Sequence, residues 1–288
     1  MSYYRIEDLG GYYRIGSPEA VFSYLIVGAE RAMLIDTGYG LGDLPAAVRE
    51  VTELPLVIVN THGHCDHMGG NARFDAPCYM HPADWTLARA HAAPDMRRAN
   101  AERLSRSVDY ATGAVFNALP EGFDRERYAA LGTGELREAR EGLRFDLGGT
   151  ELELIETPGH TAGGISVLWR EKRLLFIGDA ANFFVWLFCR ESTGKASYLN
   201  MLDRIDALPV DVYWGGHNPL PTTHENLARF RRAAVEADYN RGLPFEPFID
   251  ADRKPRICCL DGIGPEQMFS GNFAAVVIAP DWNQEEPT

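Results

Sequence analysis

Seven consecutive residues, Thr61-His62-Gly63-His64-Cys65-Asp66-His67, bring three imidazoles and a carboxylate close together directly after an apolar run. Neutral imidazole and carboxylate are the donors that zinc and its first-row neighbours prefer. Alternate side chains of an extended chain share a face, so His62, His64 and Asp66 lean one way and His67 is offset. That disposition suits two neighbouring ions better than one. Three further donors follow: His160 in Thr157-Pro158-Gly159-His160, Asp179 closing Leu174-Leu175-Phe176-Ile177-Gly178-Asp179, and His217 in Trp214-Gly215-Gly216-His217. Each lies just past an apolar stretch and has glycine beside it, as expected of groups on strand-end loops around a crowded site. Any one of the three reads equally well as a cap or a packed side chain. All seven at expected strand ends read as metal ligands.

The elements that position them are legible in outline. Residues 21–27 and 31–36 are strand-like, with a turn at Gly28-Ala29-Glu30. A helix is expected over 43–52, and the continuous apolar run Leu56-Val57-Ile58-Val59 is a strand covered on both faces that delivers the first donor cluster. Residues 82–142, rich in Ala, Arg and Glu, read as a helical insertion broken near Pro94, Gly113 and Pro120, overhanging the site. Sheet resumes at 143–147, 151–157, 165–169 and 173–178, a helix at 197–207, and a strand at 210–214 delivers His217. Thr222 and Glu225 have capping-box spacing before a last long helix. Two sheet-and-helix halves, each bringing donors to one edge, imply two sheets with helices outside, an α/β (α+β) fold in αββα layers. One domain is expected over 1–243. The extension 244–288 should add short strands near 256–260 and 274–278 to the same domain and fray over 284–288.

With this donor set in this order, residues 12–240 resemble the metallo-β-lactamase superfamily. The resemblance implies the same four-layer αββα sandwich. It also implies that His62, His64 and His160 hold one ion, that Asp66, His67 and His217 hold a second, and that Asp179 bridges them. Leu34-Ile35-Asp36-Thr37-Gly38 is a further shared feature, in which Asp36 would steady a ligand imidazole. By itself, Asp36 reads almost as well as the cap of the next turn.

Two zinc ions are the expected cofactor, and iron or manganese would also fit these donors. A water shared by two ions loses enough of its pKa to supply hydroxide at neutral pH, and Asp66 could orient it and pass its proton to the leaving group. The expected activity is hydrolysis of a small ester, thioester or lactone. The alternatives are a di-iron oxidoreductase, or a phosphodiesterase or β-lactam hydrolase of the same fold. The di-iron relatives carry glutamate where this chain has His64. Cysteine-type metallo-β-lactamases carry cysteine where it has Asp179, and acyl-homoserine lactonases carry tyrosine where it has Asn182. Hydroxyacylglutathione hydrolases share the donors, but their basic glutathione anchors cannot be placed in this chain.

The aromatic run after Asp179 supplies candidates for a substrate pocket: Asn182, Phe183, Phe184 and Trp186. The same residues could instead pack beneath the insertion or against a second copy in a homodimer. Of the remaining histidines, His81 and His224 could touch substrate or be surface groups, and His91 should be solvated. Net charge is −13, and Arg229, Arg231 and Arg232 lie on an expected helix beside Glu225 and Glu236, so nucleic acid is not an expected partner. No stretch suits a membrane span or signal peptide, and five cysteines without a CxxC pair suit reduced thiols. A cytoplasmic enzyme acting on a small molecule is expected.

Overall fold

Short apolar strands joined by tight turns build the first of two units, residues 1–154. The computed structural model describes residues 2–109, 112–262, 264 and 273–283. Seven strands line up in the order Arg5–Asp8, Tyr12–Gly16, Phe22–Val27, Ala32–Ile35, Leu56–Val59, Cys78–Met80 and Leu136–Glu138. The first four are antiparallel neighbours, and the last three join in parallel. Parallel neighbours need a crossover. The helix Leu44–Arg49 provides one, capped by Asp43, whose carboxylate accepts the Ala46 N–H at 3.0 Å. Its Leu44, Ala47 and Val48 pack with Leu25, Leu34 and Ile58. Because Ala32–Ile35, Leu56–Val59 and Cys78–Met80 run the same way, their C-terminal ends share one sheet edge. In open α/β sheets that edge is where ligands bind.

The segment 82–142 is less helical than its composition suggests. Helices Trp85–His91, Pro94–Leu104 and Arg125–Ala129 are present, but Ser107–Val108 and Val115–Phe116 pair as a small hairpin. Leu136–Glu138 pairs in parallel with Cys78–Met80 and extends the sheet. Pro94 opens a helix rather than breaking one, because the first turn has no use for the missing N–H. Three residues at a sheet edge, two of them charged, carry no alternation that a sequence could reveal.

In the second unit, residues 155–288, Ile165–Trp169 pairs antiparallel with Leu174–Gly178, which pairs in parallel with Val212–Gly215. Helices Lys195–Asp206 and His224–Glu236 bury Tyr198, Leu202, Ile205, Leu227 and Phe230 against Leu168, Leu175 and Ile177. The capping box of the last helix lies one residue later than expected. Thr223 accepts from Asn226 N–H, and the Asn226 side chain accepts from Thr223 N–H at 2.9 Å, so an amide serves where Glu225 was expected.

A second sheet runs Phe184–Leu187, Ala275–Ile278, Arg256–Cys259, Leu243–Pro244. The two tail strands do pair antiparallel, and Ala275–Ile278 also pairs in parallel with Phe184–Leu187 from the aromatic run. Residues 284–288 lie outside the described residues. Arg229, Arg231 and Arg232 each pair with a carboxylate, Asp261, Asp203 and Glu236 respectively. Among the described residues no helix is long and apolar enough to cross a membrane.

Candidate metal centre

The donor cluster of the first unit sits where Leu56–Val59 ends. His64 is the extended N-cap of a one-turn helix, Cys65–Met68, and that turn swings Asp66 and His67 around. His62 Nε2 lies 3.0 Å from His64 Nδ1, and the His62 and His67 rings are 4.0 Å apart. Asp36 ends the neighbouring strand in the left-handed region, at φ +61°, a conformation that Asp tolerates better than most residues. Its Oδ1 accepts the Thr61 N–H at 2.7 Å, and its Oδ2 lies 2.8 Å from His67 Nδ1. A carboxylate can only accept, so Nδ1 carries the hydrogen and Nε2 offers the lone pair. That Nε2 lies 3.9 Å from Asp66 Oδ2.

Several residues that sequence reasoning passed over hold this cluster. The His67 carbonyl accepts from Thr37 N–H at 2.7 Å and from Asn60 Nδ2 at 3.1 Å. Asn60 and Asn71 exchange amide hydrogen bonds of 2.8 and 3.1 Å, and both are fully buried. Asp84 Oδ2 accepts the Gly63 N–H at 2.9 Å, and a side chain at Gly63 would come within 2.8 Å of the Asp84 carbonyl.

His91 corrects an expectation. It is not solvated but buried, 7% exposed, with Nδ1 accepting the Cys65 N–H at 3.1 Å and its ring stacked 5.1 Å from that of His64. Ala88 and His91, three apart, form the buried face of helix Trp85–His91, a placement that composition could not reveal. Cys65 is a free thiol, and burial, with Asp66 beside it, pushes its pKa up to about 12. At neutral pH it is a small, protonated, largely apolar side chain. His81 caps the turn Pro82–Asp84, with its Nδ1 3.2 Å from Ala83 N.

The second unit holds its donors by other means. The loop that carries His160 is closed by Thr157 N–H on the Gly164 carbonyl at 2.7 Å, and a Cβ at Gly159 would strike the Tyr198 ring at 2.6 Å. His160 Nδ1 lies 2.7 Å from the Trp186 carbonyl, which can only accept, so here too Nε2 is left as the donor. Asp179 follows Gly178, and His217 follows Gly216, whose N–H donates to the Gly178 carbonyl at 2.9 Å. Asp179 Oδ2 lies 3.3 Å from His217 Nε2 and 3.9 Å from His160 Nε2. Two donors each ~2.1 Å from a common ion at a tetrahedral angle stand ~3.4 Å apart, so a carboxylate between these two imidazoles suits a metal ligand.

The remaining candidates are also placed. Asn182 Oδ1 accepts the Phe184 N–H at 2.7 Å, and Phe183 packs against Phe273. Phe184 and Trp186 face Phe245, with ring centroids 5.6 and 5.4 Å apart. The run is therefore a strand packed on tail aromatics of its own unit. His224 is engaged with Asp206 Oδ1 at 2.5 Å and the Val210 carbonyl at 2.7 Å, and its hydrogen bond to Asp206 raises its pKa.

Known proteins are similar to this chain. The bovine (Bos taurus) acyl-coenzyme A thioesterase MBLAC2 is 27% identical over 210 residues, covering 67% of this chain and 71% of the relative. A metallo-beta-lactamase from Pontibacter korlensis superposes with a TM-score of 0.57 at 18% identity, over 81% of this chain and all of that one. TTHA1623, solved in a di-iron-bound form, gives 0.52 at 26% identity, over 74% and 94%. These likenesses establish the α/β fold expected from the sequence. Residues 16–217, most of the chain and every donor described above, match the metallo-beta-lactamase superfamily, and to that superfamily the chain belongs.

Proposed function

We propose that this protein is a metal-dependent hydrolase of a small ester or thioester, with lactones as a neighbouring substrate class. In this reading His62, His64 and His160 hold one ion, Asp66, His67 and His217 hold a second, and Asp179 serves both. Zinc is the expected metal. One observation carries the reading: in each unit an acceptor engages a histidine Nδ1, Asp36 for His67 and the Trp186 carbonyl for His160, and turns Nε2 toward a carboxylate. Such anchoring fixes tautomer and ring orientation, as metal-ligating histidines need. A cluster that merely packed would not need it twice.

Bound there, divalent ions would supply Lewis acidity and an activated water. The chain itself supplies orientation and proton handling. Asp66, with its side chain 19% exposed beside buried His67, is placed to take a proton and return it to a leaving alkoxide or thiolate. The name of the bovine relative favours a thioester as the first substrate to try.

The test is elemental analysis of gently purified protein together with a panel of thioesters, esters, lactones, β-lactams and phosphodiesters. About two zinc ions per chain, with hydrolysis of one carbonyl class that a chelator removes, is the expected result. Hydrolysis that survives complete metal removal would overturn the reading. Two irons without hydrolysis would return the oxidoreductase alternative.

A further inference from the structure

The strand Phe184–Leu187 has two faces with different fates. Val185 and Leu187 are buried in the core with the two long helices of the second unit. Side chains alternate along a strand, so Phe184 and Trp186 stand on the other face, in register with Ala275 and Val277. On that face Phe245 lies over both rings, and Phe248 lies 5.6 Å from Trp186. Phe184, Trp186 and Phe245 stay partly exposed, and Phe248 is 50% exposed. At the rim Arg190 bridges Asp250 at 2.6 Å and Asp252 at 2.5 Å, one cation between two carboxylates.

What makes this surface more than a loosely covered sheet is its connection to the candidate metal centre. The residue whose ring forms its floor, Trp186, is the residue whose carbonyl holds His160. The strand that carries these rings therefore touches a metal-ligand candidate through its main chain, on the Nδ1 side of the imidazole. A hydrolase of acyl compounds must hold the apolar part of its substrate beside the reacting carbonyl, and aromatic-lined concave sites commonly do so.

We propose that this face is the acyl-chain subsite, receiving the hydrocarbon tail of a medium- or long-chain fatty acyl ester or thioester with its carbonyl end toward His160. The proposal rests on the hydrolase reading above. Within it, Phe184, Trp186, Phe245 and Phe248 set chain-length preference, and the C-terminal strands take part in substrate recognition.

The test measures binding in the metal-free full chain, so it does not depend on turnover. Butanoate, octanoate and dodecanoate are titrated calorimetrically into wild type, Phe248→Ser and Phe245→Ala. Affinity should rise about two- to fourfold per methylene between butanoate and dodecanoate. It should fall about tenfold for dodecanoate in Phe248→Ser, an exposed position whose change spares the core. Phe245→Ala should act the same way. Absence of chain-length dependence, or dodecanoate affinity equal in all three proteins, would overturn the proposal. A wild-type dimer that Phe248→Ser dissociates would assign the face to a second copy instead. If fatty acids bind as described but no acyl compound is hydrolysed, the hydrolase reading fails and the subsite stands.

Discussion

The two donor groups differ in what anchors the imidazole Nδ1, a carboxylate for His67 and a main-chain carbonyl for His160. In the first unit, side chains carry the work: Asp36 on His67, Asp84 on the Gly63 N–H, His91 on the Cys65 N–H. In the second, main-chain carbonyls do more of it, Trp186 on His160 and Gly178 on Gly216 beside His217, with the Ser192 hydroxyl donating to the His160 carbonyl at 2.8 Å. Exposure does not follow that division: His67 is fully buried and the His217 side chain 33% exposed, but His160 is only 7% exposed and Asp66 is 19% exposed. A donor held by side chains is encoded in residue identity and can be lost by one substitution. A donor held by main chain is encoded in strand position and is indifferent to the side chain supplying the carbonyl.

That contrast can be broken experimentally. The largest effect is expected at Asp66, the only carboxylate of the first donor loop. Asp66→Asn should lower turnover about 10²- to 10⁴-fold with an unchanged far-ultraviolet circular dichroism spectrum. Near-normal turnover would remove Asp66 from the reaction. Next come the two anchors compared directly, by chelator competition for bound metal. Asp36→Ala should weaken metal binding about 10- to 100-fold, whereas Trp186→Phe, which keeps the carbonyl, should stay within about twofold. Equal losses in the two variants would refute the distinction between side-chain and main-chain anchoring.

A smaller effect is expected one layer further out. Asp84 is 1% exposed and accepts a buried N–H, so Asp84→Ala should strand that donor and lower unfolding free energy by about 1–3 kcal/mol. A denaturant midpoint equal to wild type would show that something else satisfies Gly63.

The same contrast explains what the sequence could reveal. The donor candidates, and the strands Leu56–Val59 and Leu174–Gly178 that deliver two of their groups, were legible because ligand chemistry restricts residue type and buried strands are largely apolar. Asp36 could be singled out by the superfamily resemblance, since by itself it reads almost as well as a cap. Supports drawn from distant segments could not. Nothing local marks His91 as a partner of Cys65, 26 residues earlier, or tells that a Trp carbonyl rather than a Trp ring meets His160. The aromatic run Phe183 to Phe188 read as a pocket or a contact surface, yet part of it is a strand, because its pairing partner Ala275–Ile278 lies about ninety residues downstream. Arg5–Asp8 and Tyr12–Gly16 were passed over because polar and aromatic residues mixed at a sheet edge show little period.

His224 separates the means of holding a histidine from the unit in which it lies. It belongs to the second unit but is held by a side chain, Asp206, as well as by the Val210 carbonyl, and both partners accept. Only the imidazolium can donate from both nitrogens, which is why its pKa is raised above the ordinary 6.5. A folded-state pKa above the unfolded one gives stabilisation that is complete below the ordinary value and disappears as pH rises through the raised one. Both side chains are about half exposed, at 47% and 50%, so solvent screens the pair and its worth is small. Asp206→Asn should therefore melt about 1–3 °C below wild type near pH 5.5, with the gap closing by about pH 9. A gap that is the same at both pH values would mean that Asp206 acts by packing, not by holding the imidazolium. A closing gap would show that side-chain anchoring works in the second unit too, leaving main-chain anchoring as a property of His160 itself.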